Sequence, residues 1–203
     1  MATWRGGEVI GVIGGAGDRT GTLPRACDTG CVTTFDVAGR LDAAVDALAE
    51  LGPQVIAREP WPLAEAVGPA PETSWGPREV LAHLAEMVPF WLGEIELIID
   101  ADVVRAEAAV EPPPFGRLEA DPLRVAIIDR DRIFPSRELL ARIDVEGRRT
   151  ARRLRDLNTR EAQLLGRHPT RGDLTVAEVA ERLIVSHLEG HVTQLRETLD
   201  TTR

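Results

Sequence analysis

The run Thr175-Val176-Ala177-Glu178-Val179-Ala180-Glu181-Arg182-Leu183-Ile184-Val185-Ser186-His187-Leu188-Glu189-Gly190-His191-Val192-Thr193-Gln194-Leu195 starts as a helix starts and keeps helical spacing to its end. Thr175 followed three residues later by Glu178 is a capping box, in which each side chain satisfies a backbone N–H that the first turn leaves bare. The pattern carries on to about Leu199, a rod of about 37 Å at 1.5 Å per residue.

Similar spacing fills most of the chain before it. Apolar residues recur at Val37, Leu41, Val45, Leu48 and Leu51, one face of a helix over 36–51 that Gly52-Pro53 is expected to close or bend. A second long helix opens near Pro77, where the missing N–H costs nothing, bends at Pro89 and reaches about Ala101. Pro112-Pro113-Pro114 and Gly116 mark a loop over 111–120. A short helix follows over 122–133 and another long one from Pro135 or Ser136 to about Leu157. Four long helices and one short accessory helix predict an all-α antiparallel four-helix bundle over 35–203.

Residues 1–34 read differently, as a disordered or mis-assigned N-terminal extension rich in Gly and Thr. They hold both weak strand candidates of the chain. Glu8 to Gly17 superficially resembles a dinucleotide-binding turn, but Asp18 to Pro24 cannot supply the helix that such a turn must open. Cys27 and Cys31 also lie here, without the histidines a zinc site would want, and receive no role.

The 203 residues carry a net charge of −9, and all 24 basic side chains are arginine. Such acidity disfavours a phosphate backbone as partner. Without Lys or Tyr, Schiff-base chemistry and a tyrosyl acid are excluded. No apolar run approaches the roughly 20 residues of a bilayer span, and no leader pattern opens the chain, so a cytoplasmic protein is expected. The arginines at 148, 149, 152, 153 and 155 read as a solvated helix face paired with surplus carboxylates.

There are four histidines. His187 and His191, at i and i+4, stack on one helix face with Cβ atoms roughly 5–6 Å apart, so both rings can reach one metal ion. Glu189 between them falls about 200° around the helix from His187 and points away, which separates this pattern from the zinc-protease motif. His83 sits among Val80, Leu81 and Leu84 on a helix that must bury a face. It is either a third ligand or a core histidine satisfied by a neighbour. His168 reads as a surface residue, with a place at a pocket rim as the alternative.

The stretch Trp75-Gly76-Pro77-Arg78-Glu79-Val80-Leu81-Ala82-His83-Leu84 resembles the "W-x-x-x-E-(apolar)-(apolar)-x-H-L" opening of helix two in the DinB/YfiT-like family. Gly172 to Glu178, followed by His187-x-x-x-His191-x-x-Gln194-Leu195, resembles that family's last helix. The resemblance spans about residues 35–200. It implies a bundle holding one divalent metal, zinc or nickel, on His83, His187 and His191. It further implies a thiol S-transferase or isomerase that uses mycothiol, bacillithiol or glutathione on an electrophilic small molecule. Bundles of this type commonly form homodimers. Some mycothiol-dependent members carry a carboxylate in place of one histidine of the last helix; this sequence keeps both.

Three neutral imidazoles leave one coordination position open and two positive charges uncompensated, which favours a bound thiolate or hydroxide. A hydrolase using activated water and a non-catalytic metal-binding bundle are the alternatives. Gln194, two turns after His187, is placed to bond a ligand, orient a histidine or serve the bundle, and Glu79 to act as base or support for His83. Trp75 and Trp91 read as core, with a pocket wall as the alternative. A thiol cofactor bearing carboxylates or sugar hydroxyls would want an arginine near the site; Arg78 and Arg182 are the candidates, with an ordinary surface role as the alternative for both.

Overall fold

The computed structural model describes residues 34–64, 67, 72–105 and 111–201, and they are mostly helical. Readings placed on residues 1–33, including the two strand candidates and both cysteines, lie outside the described residues. Helix α1 spans Thr34–Ala57 and α2 spans Pro77–Arg105. Helix α3 covers Pro122–Asp131 and α4 covers Ser136–Asp156. A single turn, α5 (Thr159–Ala162), leads into strands β1 (Leu165–His168) and β2 (Gly172–Thr175). A last helical run comprises α6 (Val176–Val179), a π-helical segment (Ala180–Val185) and α7 (Ser186–Thr201).

Helix α1 does not stop at Gly52-Pro53; it continues through Pro53 to Ala57. Its apolar stripe continues too, with Leu51 and Val55 buried one turn apart. Burying two large side chains contributes about 1.5–3 kcal/mol each, enough to offset the ~3 kcal/mol cost of an interior proline. Trp61 Nε1 then donates to the Val55 carbonyl at 2.8 Å, occupying an acceptor the helix end leaves free. Helix α2 likewise runs unbroken through Pro89.

Helix α4 packs along α1 and α2, and the last helical run lies against the same two helices. The α1–α4 contact is close at Gly147, where an added Cβ would sit 2.5 Å from Val45 Cγ2. The arginine face of α4 is paired as expected, Arg148 with Asp42 and Asp46, Arg155 with Asp42, and Arg153 with Glu96 at 2.7 Å. Among the described residues no helix is long and apolar enough to cross a membrane.

The sequence reading placed no strand after residue 34, yet β1 and β2 form an antiparallel hairpin registered from Leu165↔Thr175 to His168↔Gly172. The 111–120 loop adds to it, with Arg167 N donating to Pro113 O at 2.8 Å and Phe115 N to Arg167 O at 3.1 Å. Only glycine fits at 166, where a Cβ would come within 2.6 Å of both Ile98 and Phe115. Gly172 closes the turn at φ 74°, a conformation that costs other residues energy. Strands this short are decided by such contacts and leave little period-2 signal.

Candidate metal centre

The hairpin ends on Thr175, which caps the last helical run. Thr175 Oγ1 accepts from Glu178 N at 3.1 Å, and Glu178 Oε2 accepts from Thr175 N at 3.0 Å, so the expected capping box is formed. The rod is not one regular helix, however. Buried Val176, Ala180, Ile184 and Leu188 advance four residues at a time. In a 3.6-residue helix each such step drifts about 40° around the axis. The wider π turn absorbs that drift, with Leu183, Ile184 and Val185 all buried in succession. Leu188 thereby stays in the core, and the neighbouring His187 is left half-buried at the edge of the cluster described below.

His83, His187 and His191 meet. His187 Nε2 lies 3.2 Å from His83 Nε2 and 3.0 Å from His191 Nε2. A fourth donor, absent from the sequence reading, joins them. Glu72, in a single 3₁₀ turn (Glu72–Ser74) before α2, places Oε2 3.0 Å from His187 Nε2 and 3.6 Å from His191 Nε2. The four donor atoms all fall within 4.8 Å of one another.

These distances suit a small divalent cation. Ligands at roughly 2.0–2.1 Å around a tetrahedral ion lie about 3.3 Å apart. Hydrogen bonding alone accounts for the cluster poorly. His187 Nε2 bears either one N–H or one lone pair, yet it meets three partners at 3.0–3.2 Å. At most one of these contacts can be a well-directed hydrogen bond, whereas a central cation would engage every lone pair at once.

Gln194 sets the tautomer of His191. Its Nε2 donates to the carbonyls of Glu72 and Trp75 at 2.9 and 3.0 Å, which fixes the amide orientation. Oε1 must therefore accept from His191 Nδ1 at 2.9 Å. A proton on Nδ1 leaves Nε2 of His191 to face the cluster with its lone pair, the form a metal needs. The same amide ties the 3₁₀ turn that carries Glu72 to α7. Of the roles open to Gln194, its contacts fit two, orientation of a histidine and bracing of the bundle.

His83 is buried and packs edge-on to Trp75, with ring centroids 5.4 Å apart. Burial pushes its imidazole well below the ordinary pKa; the Glu72 carboxylate opposes this, and the Arg124 guanidinium reinforces it. Arg124 Nη2 stands 3.5 Å from His83 Nδ1, at the long limit for a bond, and forms an ion pair with Glu72 Oε1. Burial would raise the Glu72 carboxyl, but the histidines that surround it hold it far below the usual range. Glu72 thus stays ionised, and Arg124 neutralises much of its charge.

Glu79 is engaged elsewhere. It is fully buried, and its Oε1 accepts from Ala64 N at 2.9 Å and Arg132 Nη1 at 3.1 Å, fastening the loop before α2. Arg78 bonds the carbonyls of Arg132 and Ile133 at the end of α3, and Arg182 pairs with Glu178 at 2.9 Å on the surface. Neither lines the cavity of about 440 Å³ that opens beside His83 and His187. Its arginines are instead Arg117, Arg124 and Arg171. Trp75 is core as expected, whereas half-buried Trp91 lines this cavity. His168, read as a surface residue, is 5 % exposed and lines it too. Its inward direction follows from the alternation of β1 once the hairpin has formed, exposed at Leu165 and Arg167 and buried at Gly166 and His168, and the residue types Leu-Gly-Arg-His do not show it. No local signal marks Glu72 either.

Fold and centre together define a mostly helical protein with a three-histidine, one-carboxylate cluster able to hold a metal ion. No family model matches this chain, nor does any curated protein or solved structure.

Proposed function

We infer that this protein is a metal-dependent enzyme of the DinB/YfiT-like type, an antiparallel four-helix bundle that transfers a low-molecular-weight thiol to an electrophile or uses it in an isomerisation. The observation that carries this reading is the convergence of three imidazole nitrogens and the Glu72 carboxylate on one point. His83, His187 and His191 would hold the ion, zinc or nickel, with Glu72 as fourth donor. Bound there, a divalent ion supplies positive charge that lowers the pKa of a thiol, or of water, at an open position.

The residues around the cluster serve that chemistry in stated ways. Gln194 keeps the His191 lone pair directed inward. Because Arg124 is paired with Glu72, the carboxylate offsets less of the charge of an ion than a free one would. The centre therefore keeps its preference for an anion. Met87, Trp91 and Leu183 give the adjoining cavity an apolar wall, which excludes water from one side of the centre.

Glu72 also favours a second reading. Four protein donors complete a tetrahedral site, the pattern of structural zinc, and on that reading the bundle binds metal without turnover. Metal analysis of purified protein tests the shared premise; one equivalent is expected, and it should be lost in His187→Ala. Full metal retention by that variant would remove the triad. A cobalt-substituted protein separates the readings, since its visible spectrum shifts on adding a thiol only if a position opens. Conjugation assays with mycothiol, bacillithiol and glutathione against an electrophile panel follow. Ester or amide hydrolysis without thiol turnover would replace the transferase reading with a hydrolase.

A further inference from the structure

The cavity beside His83 and His187 has a second polar end that the metal reading does not use. His168 reaches it from β1. Its Nδ1 accepts from the backbone N–H groups of Thr170 and Arg171 at 3.2 and 3.3 Å. An acceptor at Nδ1 leaves the neutral ring its proton on Nε2. Burial, with the nearby Arg171 charge, holds this imidazole below its ordinary pKa, so the neutral form prevails near pH 7. The Nε2–H lies against Gly116, whose φ of 79° and missing Cβ make room for the ring; a Cβ there would stand 3.0 Å from Nε2. No hydrogen bond joins Nε2–H to another described residue, and the largely buried His168 lines the cavity, so this donor is available to a molecule held there. A ligand oxygen in the cavity would give this N–H an acceptor.

The cavity arginines are not equivalent. Arg117 is spent on buried Glu86 and lies 3.7 Å above the Phe90 ring. Arg124 is spent on Glu72. Arg171, exposed at the rim beside His168, has no acidic partner among the described residues. The cavity lining also includes the apolar side chains of Met87, Trp91 and Leu183. Among the described residues Glu119 is the one carboxylate on the rim besides Glu72, and it is exposed.

We propose that this cavity receives an organic acid, whose apolar body lies on Trp91, Met87 and Leu183 and whose carboxylate is taken by Arg171 together with the Nε2–H of His168. The assignment deepens the proposed function by giving its substrate or cofactor a carboxylate and a hydrophobic stem, and it rests on that reading for the role of the metal end.

Binding of 4-phenylbutanoate and of its neutral isostere 4-phenylbutanamide, followed by calorimetry on the full chain with zinc and with a chelator, tests it. The acid is expected to bind at least about tenfold more tightly than the amide, the scale of a charge-assisted pair. Arg171→Met, at an exposed position that leaves the fold intact, should bring the acid down to the amide. His168→Phe, which keeps a ring against Phe115 and Trp91, should weaken the acid alone. Glu119→Gln should tighten it. If the metal reading fails but this one holds, the preference for the acid persists in chelator and still depends on Arg171. Equal binding of acid and amide, absence of binding, or a preference that survives Arg171→Met and vanishes in His187→Ala would overturn the assignment.

Discussion

Gln194→Met separates the two tasks that one amide performs. The substitution preserves side-chain length and removes three polar contacts: the bonds to the Glu72 and Trp75 carbonyls at 2.9 and 3.0 Å, and the acceptor for His191 Nδ1 at 2.9 Å. Each carbonyl bond contributes about 1 kcal/mol, so the metal-free protein should lose about 2 kcal/mol. For a domain of this size that lowers the Tm by roughly 4–8 °C. The third contact acts on the metal. Without it the His191 ring is free to carry its proton on Nε2 or to rotate, and loss of such an orienting partner typically costs about 10–100-fold in affinity, or roughly 1.4–2.7 kcal/mol. Gln194→Glu makes the division visible. It keeps an acceptor for His191 Nδ1–H but loses both N–H donors and sets a carboxylate against two carbonyls. Stability should fall at least as far as in Gln194→Met, while zinc affinity, measured by competition with a chelator, should stay near wild type. The reasoning is refuted if Gln194→Met lowers the Tm yet binds zinc within about twofold of wild type, or if Glu fails to restore what Met loses.

Further outcomes follow from the packing and from His83. Gly147→Ala should cost about 1–2 kcal/mol in denaturant unfolding, the clash with Val45 Cγ2 outweighing the helix preference of alanine. The cost should be smaller in a Val45→Ala background, and strict additivity would show that α1 and α4 do not meet at this point. Thr175→Ala should remove about 1 kcal/mol by opening the capping box, read as earlier hydrogen exchange at the start of α6; unchanged exchange would count against it. In chelator, stability should depend on pH through His83. Burial disfavours its protonation in the folded state, so below about pH 6.5 the unfolded chain takes up the proton first. Stability is therefore fully present above that pH and declines below it, by up to about 1.4 kcal/mol per pH unit. His83→Gln should flatten the decline, and an unaltered slope in that variant would assign the effect to other groups.

Much of this architecture was legible residue by residue. Apolar spacing placed the helices to within a turn or so, because a 3.6-residue period is a local property that any buried face must show. The Thr175–Glu178 box and the His187/His191 pair were readable for the same reason: their partners lie three or four residues away. The paired arginine face of α4 followed from charge pattern alone. The continuation of α1 through Pro53 was not readable, since a local penalty was overruled by burial of Val55 against distant elements.

What only the tertiary structure decided is the chemistry around the histidines. Glu72 meets His187 across 115 positions of sequence, and Gln194 finds its carbonyl partners across 122 and 119. Neither encounter leaves a periodic trace, and a glutamate in a proline-rich loop is by default solvated. His168 became a buried cavity donor through a hairpin set by close contacts at Gly166 and Gly116. The histidine spacing on its own defined two ligands on a face and a third in the core. The packing of α2, the 3₁₀ turn and the π-widened last helix turned them into a four-donor cluster, because convergence of side chains from separate elements depends on how those elements pack and not on any local period.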